Sequence, residues 1–194
     1  MIRRSRYLPV LSFLFAFLFL LAACTEGQSN KMNSKLESFR YTNQSGNPIA
    51  LEDLSDKVWV ANFIFTTCTT VCPGLTDNMA QLQKELKSAG IAAELVTFSV
   101  DPEKDRPDVL KTYLSKFDAD FANWHALTGY SFEDMRRYAK DNFKMTIVRD
   151  TRSDQVIHGT SFYLVDKTGT VVSYYDGKMP PYDQIKKDIK ALSK

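Results

Sequence analysis

Two cysteines with three residues between them, in the run Phe65-Thr66-Thr67-Cys68-Thr69-Thr70-Val71-Cys72-Pro73, carry the strongest chemical signal in the chain. Three chemistries suit a pair spaced this way. A structural disulfide would close so small a loop that it adds little chain-entropy stabilisation. A redox dithiol is credible, although the usual thioredoxin motif has two intervening residues rather than three. Metal capture is the third, because soft thiolates favour Cu(I) and one further ligand would complete a site.

That ligand has to be sought among two histidines. His125, in Trp124-His125-Ala126-Leu127, is flanked by apolar residues and reads as a core or edge histidine. His158, in Val156-Ile157-His158-Gly159-Thr160-Ser161, stands on the approach to a predicted strand, and Gly159 permits close backbone approach. His158 is therefore the candidate. Asp101, Pro102 and Asp105 follow another predicted strand, which puts carboxylates within reach of the cysteine loop. A turn role for Asp-Pro and a helix-cap role for Asp105 compete with this. A carboxylate is a hard ligand beside thiolate and imidazole, so Asp101 fits a supporting place around the ligands better than direct coordination.

The elements that would position these residues follow from hydrophobic periodicity. Val58–Phe65 reads VWVANFIF, a nearly continuous apolar run expected of a strand buried on both faces. Leu75, Met79, Leu82 and Leu86 recur at helical spacing up to Gly90, which predicts a helix after Pro73 and places the cysteine pair on the loop before it. Open α/β sheets bind ligands at such strand-to-helix loops, and a helix N-terminus stabilises a nearby thiolate. Further strands are expected over Ala92–Val100 and Trp124–Leu127, with helices over Pro107–Phe117 and Ser131–Phe143. Ser161–Val165 and Val171–Tyr175 flank Asp166-Lys167-Thr168-Gly169 as a hairpin, and Tyr182–Leu192 closes the chain as a helix. This order predicts an α/β, thioredoxin-like fold, a central mixed sheet flanked by helices. In that topology the approach to the hairpin passes beside the cysteine loop and brings His158 to it.

The 194 residues, 44% hydrophobic and 25% charged, fit one globular domain plus an accessory segment. Setting aside Arg3, Arg4 and Arg6 leaves 22 basic against 23 acidic residues, a balance that argues against nucleic-acid binding. Those arginines precede the apolar run Leu8–Leu21, too short for an ordinary span and suited to a signal-peptide core over residues 1–23. Leu21-Ala22-Ala23-Cys24 is similar to a bacterial lipobox, which makes Cys24 the lipidation site and puts the domain on the extracytoplasmic side of the cell membrane. An uncleaved anchor helix is the competing reading. Residues 24–35 are expected to be a flexible tether, with the domain over 36–194. With Cys24 assigned to lipid, Cys68 and Cys72 are the two thiols left in an exported domain, where oxidising conditions favour pairing.

At this point the chain resembles the Sco/SenC copper proteins that assist assembly of cytochrome c oxidase. The resemblance is carried by CxxxCP at Cys68, Cys72 and Pro73, by Asp-Pro-Glu-Lys-Asp at Asp101–Asp105, and by His158 before the hairpin. It implies that Cys68, Cys72 and His158 ligate copper, as Cu(I), Cu(II) or both, with Asp101 nearby. It also implies oxidase subunit II as client, with a separate copper donor or thiol reductant as a further partner. A thiol-disulfide reductase that keeps the oxidase cysteines reduced is the alternative, which leaves enzymatic activity open. A peroxiredoxin-type site is disfavoured, because Ala61 and Phe65 stand where such a site has proline and threonine or serine. The stretch His158–Ser161 holds no proline, unlike the segment facing the dithiol in thioredoxin-like enzymes.

Overall fold

The computed structural model of the protein describes residues 30–194, so the expected signal segment and Cys24 lie outside the described residues. Ten strands and four α-helices are found there. They are β1 (Asn30–Lys35), β2 (Arg40–Asn43), β3 (Pro48–Ala50), β4 (Trp59–Ile64), α1 (Cys72–Ser88), β5 (Glu94–Ser99), α2 (Pro107–Ser115), β6 (Trp124–Thr128), α3 (Phe132–Phe143), β7 (Val148–Arg149), β8 (Val156–Ile157), β9 (Ser161–Val165), β10 (Thr170–Asp176) and α4 (Tyr182–Ser193). Eight strands form one mixed sheet in the order β1-β10-β9-β4-β5-β6-β2-β3, and β7 and β8 pair separately. The α/β class and the central mixed sheet flanked by helices agree with the expectation.

Every residue of β4 is buried, as its unbroken apolar run requires of a strand covered on both faces. Its one polar member, Asn62, accepts a hydrogen bond from Thr97 Oγ1 on parallel β5 at 2.7 Å. Thr97 Oγ1 in turn accepts from Trp124 Nε1 on β6 at 2.9 Å, so a polar thread crosses three central strands. Around it Phe63 stacks on Phe98 at 5.2 Å between ring centroids, and Phe143 meets Phe63 edge-on at 5.0 Å. Truncating a ring such as Phe63 would cost about 3–5 kcal/mol. Helix α1 buries Leu75, Met79, Leu82 and Leu86, the stripe read from the sequence. Ser131 caps α3 by accepting from the Asp134 amide at 3.1 Å, again as its position suggests.

Strand direction decides which loops meet. Ile64 pairs with Ser99 at the C-terminal ends of β4 and β5, so the Cys68 loop and the Asp101 loop leave the sheet side by side. β9 runs antiparallel to β4 with Ala61 opposite Tyr163 and Trp59 opposite Val165. Ser161 therefore lies at the cysteine end, and His158, just before it, arrives there too.

The main departure is at the edges. Asn30–Lys35 is a strand paired with β10, so residues 30–35 of the segment read as tether belong to the sheet, ahead of the expected start at Leu36. Its polar sequence gives no alternation to read, because an edge strand is held chiefly by its ladder, and only Ser34 is buried along it. β2, β3 and the β7–β8 hairpin were likewise not anticipated; each strand has four residues or fewer.

Candidate functional site

β4 delivers the chain to Phe65, which is buried, and the Cys68 amide then bonds back to the Phe65 carbonyl at 3.3 Å to close a turn. Cys72 is itself the first residue of α1, so only Cys68 stands on the loop proper. The sequence placed both before the helix because a residue preceding proline avoids helical geometry. Here Pro73 lies within the first turn, where its missing N–H leaves no intrahelical bond unmade, and the helix extends back to Cys72.

Cys68 Sγ accepts from the Cys72 amide at 3.4 Å and lies 3.7 Å from Thr70 Oγ1. Burial pushes the Cys68 thiol up, but hydrogen bonds from Cys72 and Thr70 outweigh it and hold its pKa below the ordinary cysteine value. Cys72 is fully buried, and burial, reinforced by its hydrogen bond with Cys68, drives its pKa far above that value. Both thiols are free. Cys68 is thus the more acidic of the two thiols and Cys72 the one that holds its proton more tightly.

His158 Nε2 lies 3.5 Å from Cys72 Sγ. Its Nδ1 is 2.8 Å from the Gly159 carbonyl, which can only accept, so Nδ1 carries the hydrogen. Burial lowers the imidazole pKa, which keeps it neutral with the Nε2 lone pair turned to the sulfur. Two packing contacts fix that pose. The Phe65 ring meets the imidazole edge-on at 5.9 Å, and a Cβ on Gly159 would come within 3.1 Å of Met145 Cγ and Sδ, so glycine lets the chain pass Met145 closely.

Asp105 has a part that the sequence reading did not give it. It is fully buried and accepts from Thr66 N at 3.2 Å, Thr66 Oγ1 at 2.5 Å and Ser99 Oγ at 2.6 Å. It therefore ties the root of the cysteine loop to the end of β5, and burial raises its carboxyl pKa. By residue type and position alone Asp105 could not be told from a helix cap. Helix α2 instead starts at Pro107, with Arg106 in the cap position and no side-chain cap bond. Asp101 is buried as well, and its carboxylate faces Lys104 at 3.7 Å and Arg149 at 4.0 Å. His125 lies apart from the site on β6, 3.2 Å from Glu94 Oε2, in agreement with its assignment to the packing.

Two sulfurs and an imidazole nitrogen at the mouth of α1 form a soft donor set that suits copper. Among the described residues no three His, Cys, Asp or Glu side chains already converge as a finished metal cluster. Cys68 bonds both the amide and the side chain of Cys72, and Cys72 Sγ meets His158 Nε2 at 3.5 Å, so Cys72 stands between the other two donors.

Comparison with known proteins bears on this arrangement. The SCO1 protein homolog of Bacillus subtilis is 42% identical over 178 residues, 91% of this chain and 92% of that one. A SCO1/SenC family lipoprotein from Bacillus anthracis superposes with a TM-score of 0.82 at 48% identity, covering 85% of this chain and 98% of that one. BsSco, a member of the Sco family of cytochrome c oxidase assembly proteins in which a disulfide switch was identified, gives a TM-score of 0.78 at 43% identity over 86% and 97% of the two chains. Yeast Sco1 with copper bound gives 0.68 at 26% identity over 81% and 90%. The SCO1/SenC family profile matches residues 27–194, and the chain belongs to that family.

Proposed function

We propose that this protein is a Sco-type copper carrier whose cargo is held by Cys68, Cys72 and His158, and whose uptake is gated by the redox state of the cysteine pair. The observation that carries the reading is the neutral imidazole whose Nε2 lone pair lies 3.5 Å from Cys72 Sγ. Copper bound to yeast Sco1 and the disulfide switch of BsSco support it. Cys68, the more acidic thiol, engages the ion first; Cys72 gives up its proton as it binds, and His158 needs no deprotonation. Loss of two electrons and two protons from the free dithiol to a thiol-oxidising partner forms the Cys68–Cys72 disulfide and removes both sulfur donors. Asp101 supports the site from outside the ligand set.

A second reading is favoured by the opposed pKa shifts of the two thiols, which are what disulfide exchange uses. Cys68 thiolate attacks a client disulfide and releases one client thiolate. Cys72, once deprotonated, attacks Cys68 Sγ, forms the disulfide and releases the second client thiolate. The client in either case is cytochrome c oxidase, and specifically the subunit II copper centre, with a separate copper donor or reductant upstream.

Lipidation at Cys24 holds the domain at the outer face of the cell membrane; no helix among the described residues is long and apolar enough to cross one. Cys24→Ala should abolish lipid attachment by mass spectrometry and release the protein from washed membranes. The site itself is tested by titrating copper into the reduced and the oxidised full-length protein. The reduced form should take up one ion and, with Cu(II), show intense sulfur-to-copper charge-transfer absorption, while the oxidised form shows neither. Equal uptake by both forms would refute the gate.

A further inference from the structure

We propose that Arg149 is a positioning residue for His158: it clamps the β7–β8 hairpin, and with it the imidazole, against the Asp101–Asp105 loop. This rests on the reading of His158 as a copper ligand. The hairpin stands outside the main sheet and has two ladder pairs, Val148 with Ile157 and Arg149 with Val156. A ribbon this small does not hold itself in place. Apolar packing secures only part of it, since Ile147 and Val156 are buried whereas Val148 is 47% and Ile157 63% exposed.

Charge attaches the remainder. Arg149 Nη2 meets Glu103 Oε1 at 2.8 Å, and its guanidinium lies 4.2 Å above the Phe132 ring centroid. Its Nη1 is 4.0 Å from Asp101 Oδ1. A second strap runs from Lys104 Nζ to Asp154 Oδ2 near the hairpin tip at 3.3 Å and to Asp101 Oδ2 at 3.7 Å. Asp101 is 1% exposed and its Oδ1 has no hydrogen-bond partner, so these two cations are the counter-charges of a buried carboxylate. Removing one partner from a buried charge is costly, and an outward swing of the hairpin withdraws Arg149. The hairpin is thereby biased to its closed position, and His158, the residue after Ile157, is held over Cys72. None of the contacts that Arg149 makes falls on Cys68, Cys72 or Thr66, the residue through which Asp105 holds the cysteine loop.

The test measures copper affinity by competition with a chromophoric chelator, and the Cys68–Cys72 reduction potential, on full-length protein in detergent at low and high salt. Arg149→Met should weaken copper binding about fivefold, the scale of exposed ion pairs combined with a cation–π contact. It should also flatten the salt dependence of wild-type affinity, because screening then has less left to weaken, and keep the wild-type reduction potential. Arg149→Lys should recover part of the affinity. Wild-type affinity in Arg149→Met, alongside a clear loss in His158→Ala, would overturn the clamp while leaving the carrier reading intact. A parallel shift in reduction potential would overturn it too, by revealing a general structural role. Undiminished copper binding in His158→Ala would refute the carrier reading and the clamp together.

Discussion

The cysteine loop and the histidine arm meet at Cys72 and are held by different means. The loop hangs between the fully buried strand β4 and helix α1, and a buried carboxylate, Asp105, bonds both the amide and the hydroxyl of Thr66 at its root. The arm is a hairpin outside the main sheet, with two exposed apolar residues and surface ion pairs for attachment. Buried hydrogen bonds to a charged group are individually stronger than exposed pairs, about 1.5–3 against 0.2–1 kcal/mol. The thiols are therefore held by the stronger set of contacts, and the imidazole is delivered by a weaker one. Thiol chemistry and copper capture share Cys68 and Cys72 but should separate at His158.

The contrast can be broken most severely at the loop. Cys68→Ser removes the thiol whose pKa is lowered, so copper affinity should fall by at least about a hundredfold, and thiol trapping should find no internal disulfide. Retained affinity would move the metal elsewhere. A smaller effect is expected from Asp105→Ala, which leaves the Thr66 and Ser99 donors without their acceptor: about 1–3 kcal/mol in urea unfolding, together with a changed reduction potential as the loop root loosens. A stability loss with an unmoved potential would show that Asp105 does not act on the loop.

The smallest effect belongs to the opposite end of the sheet, where Glu94 opens β5 beside His125 and Lys57. Burial raises the Glu94 pKa, but the His125 and Lys57 bonds outweigh it and the net shift is downward. A folded-state pKa below the unfolded one contributes stability that is present above the ordinary value of 4.5 and lost as pH falls through the folded value. Wild type should thus exceed Glu94→Gln by about 1 kcal/mol at neutral pH, with the gap closing in acid and copper affinity equal throughout. A change in copper affinity would mean that the two ends of the sheet are coupled.

What could be read from the sequence follows the same division. β4, α1 and the β9–β10 hairpin were legible because long buried elements impose an apolar run or a 3.6-residue stripe on the sequence. Together they sufficed to carry His158 to the cysteine end of the sheet. The arm left no such mark, since Val148–Arg149 and Val156–Ile157 are too short for a period to register, and their attachment through Glu103, Lys104 and Asp154 is long-range in the chain. Asp105 was visible as a residue but not as a tie to Thr66, because turn, cap and buried-network aspartates look alike until the partner is known. β1 was missed for a related reason: an edge strand such as NKMNSK is specified by its neighbour β10 more than by its own residues.

The separation of thiol chemistry from copper capture is tested most directly by His158→Ala, with copper affinity and the Cys68–Cys72 reduction potential measured on the same preparation. Affinity should fall by at least about tenfold, while the potential stays within about 30 mV of wild type, because the ring gives the reduced pair a single hydrogen bond, at Cys72, worth about 0.5–1.5 kcal/mol. Unchanged copper affinity, or a potential that shifts in step with it, would contradict the account.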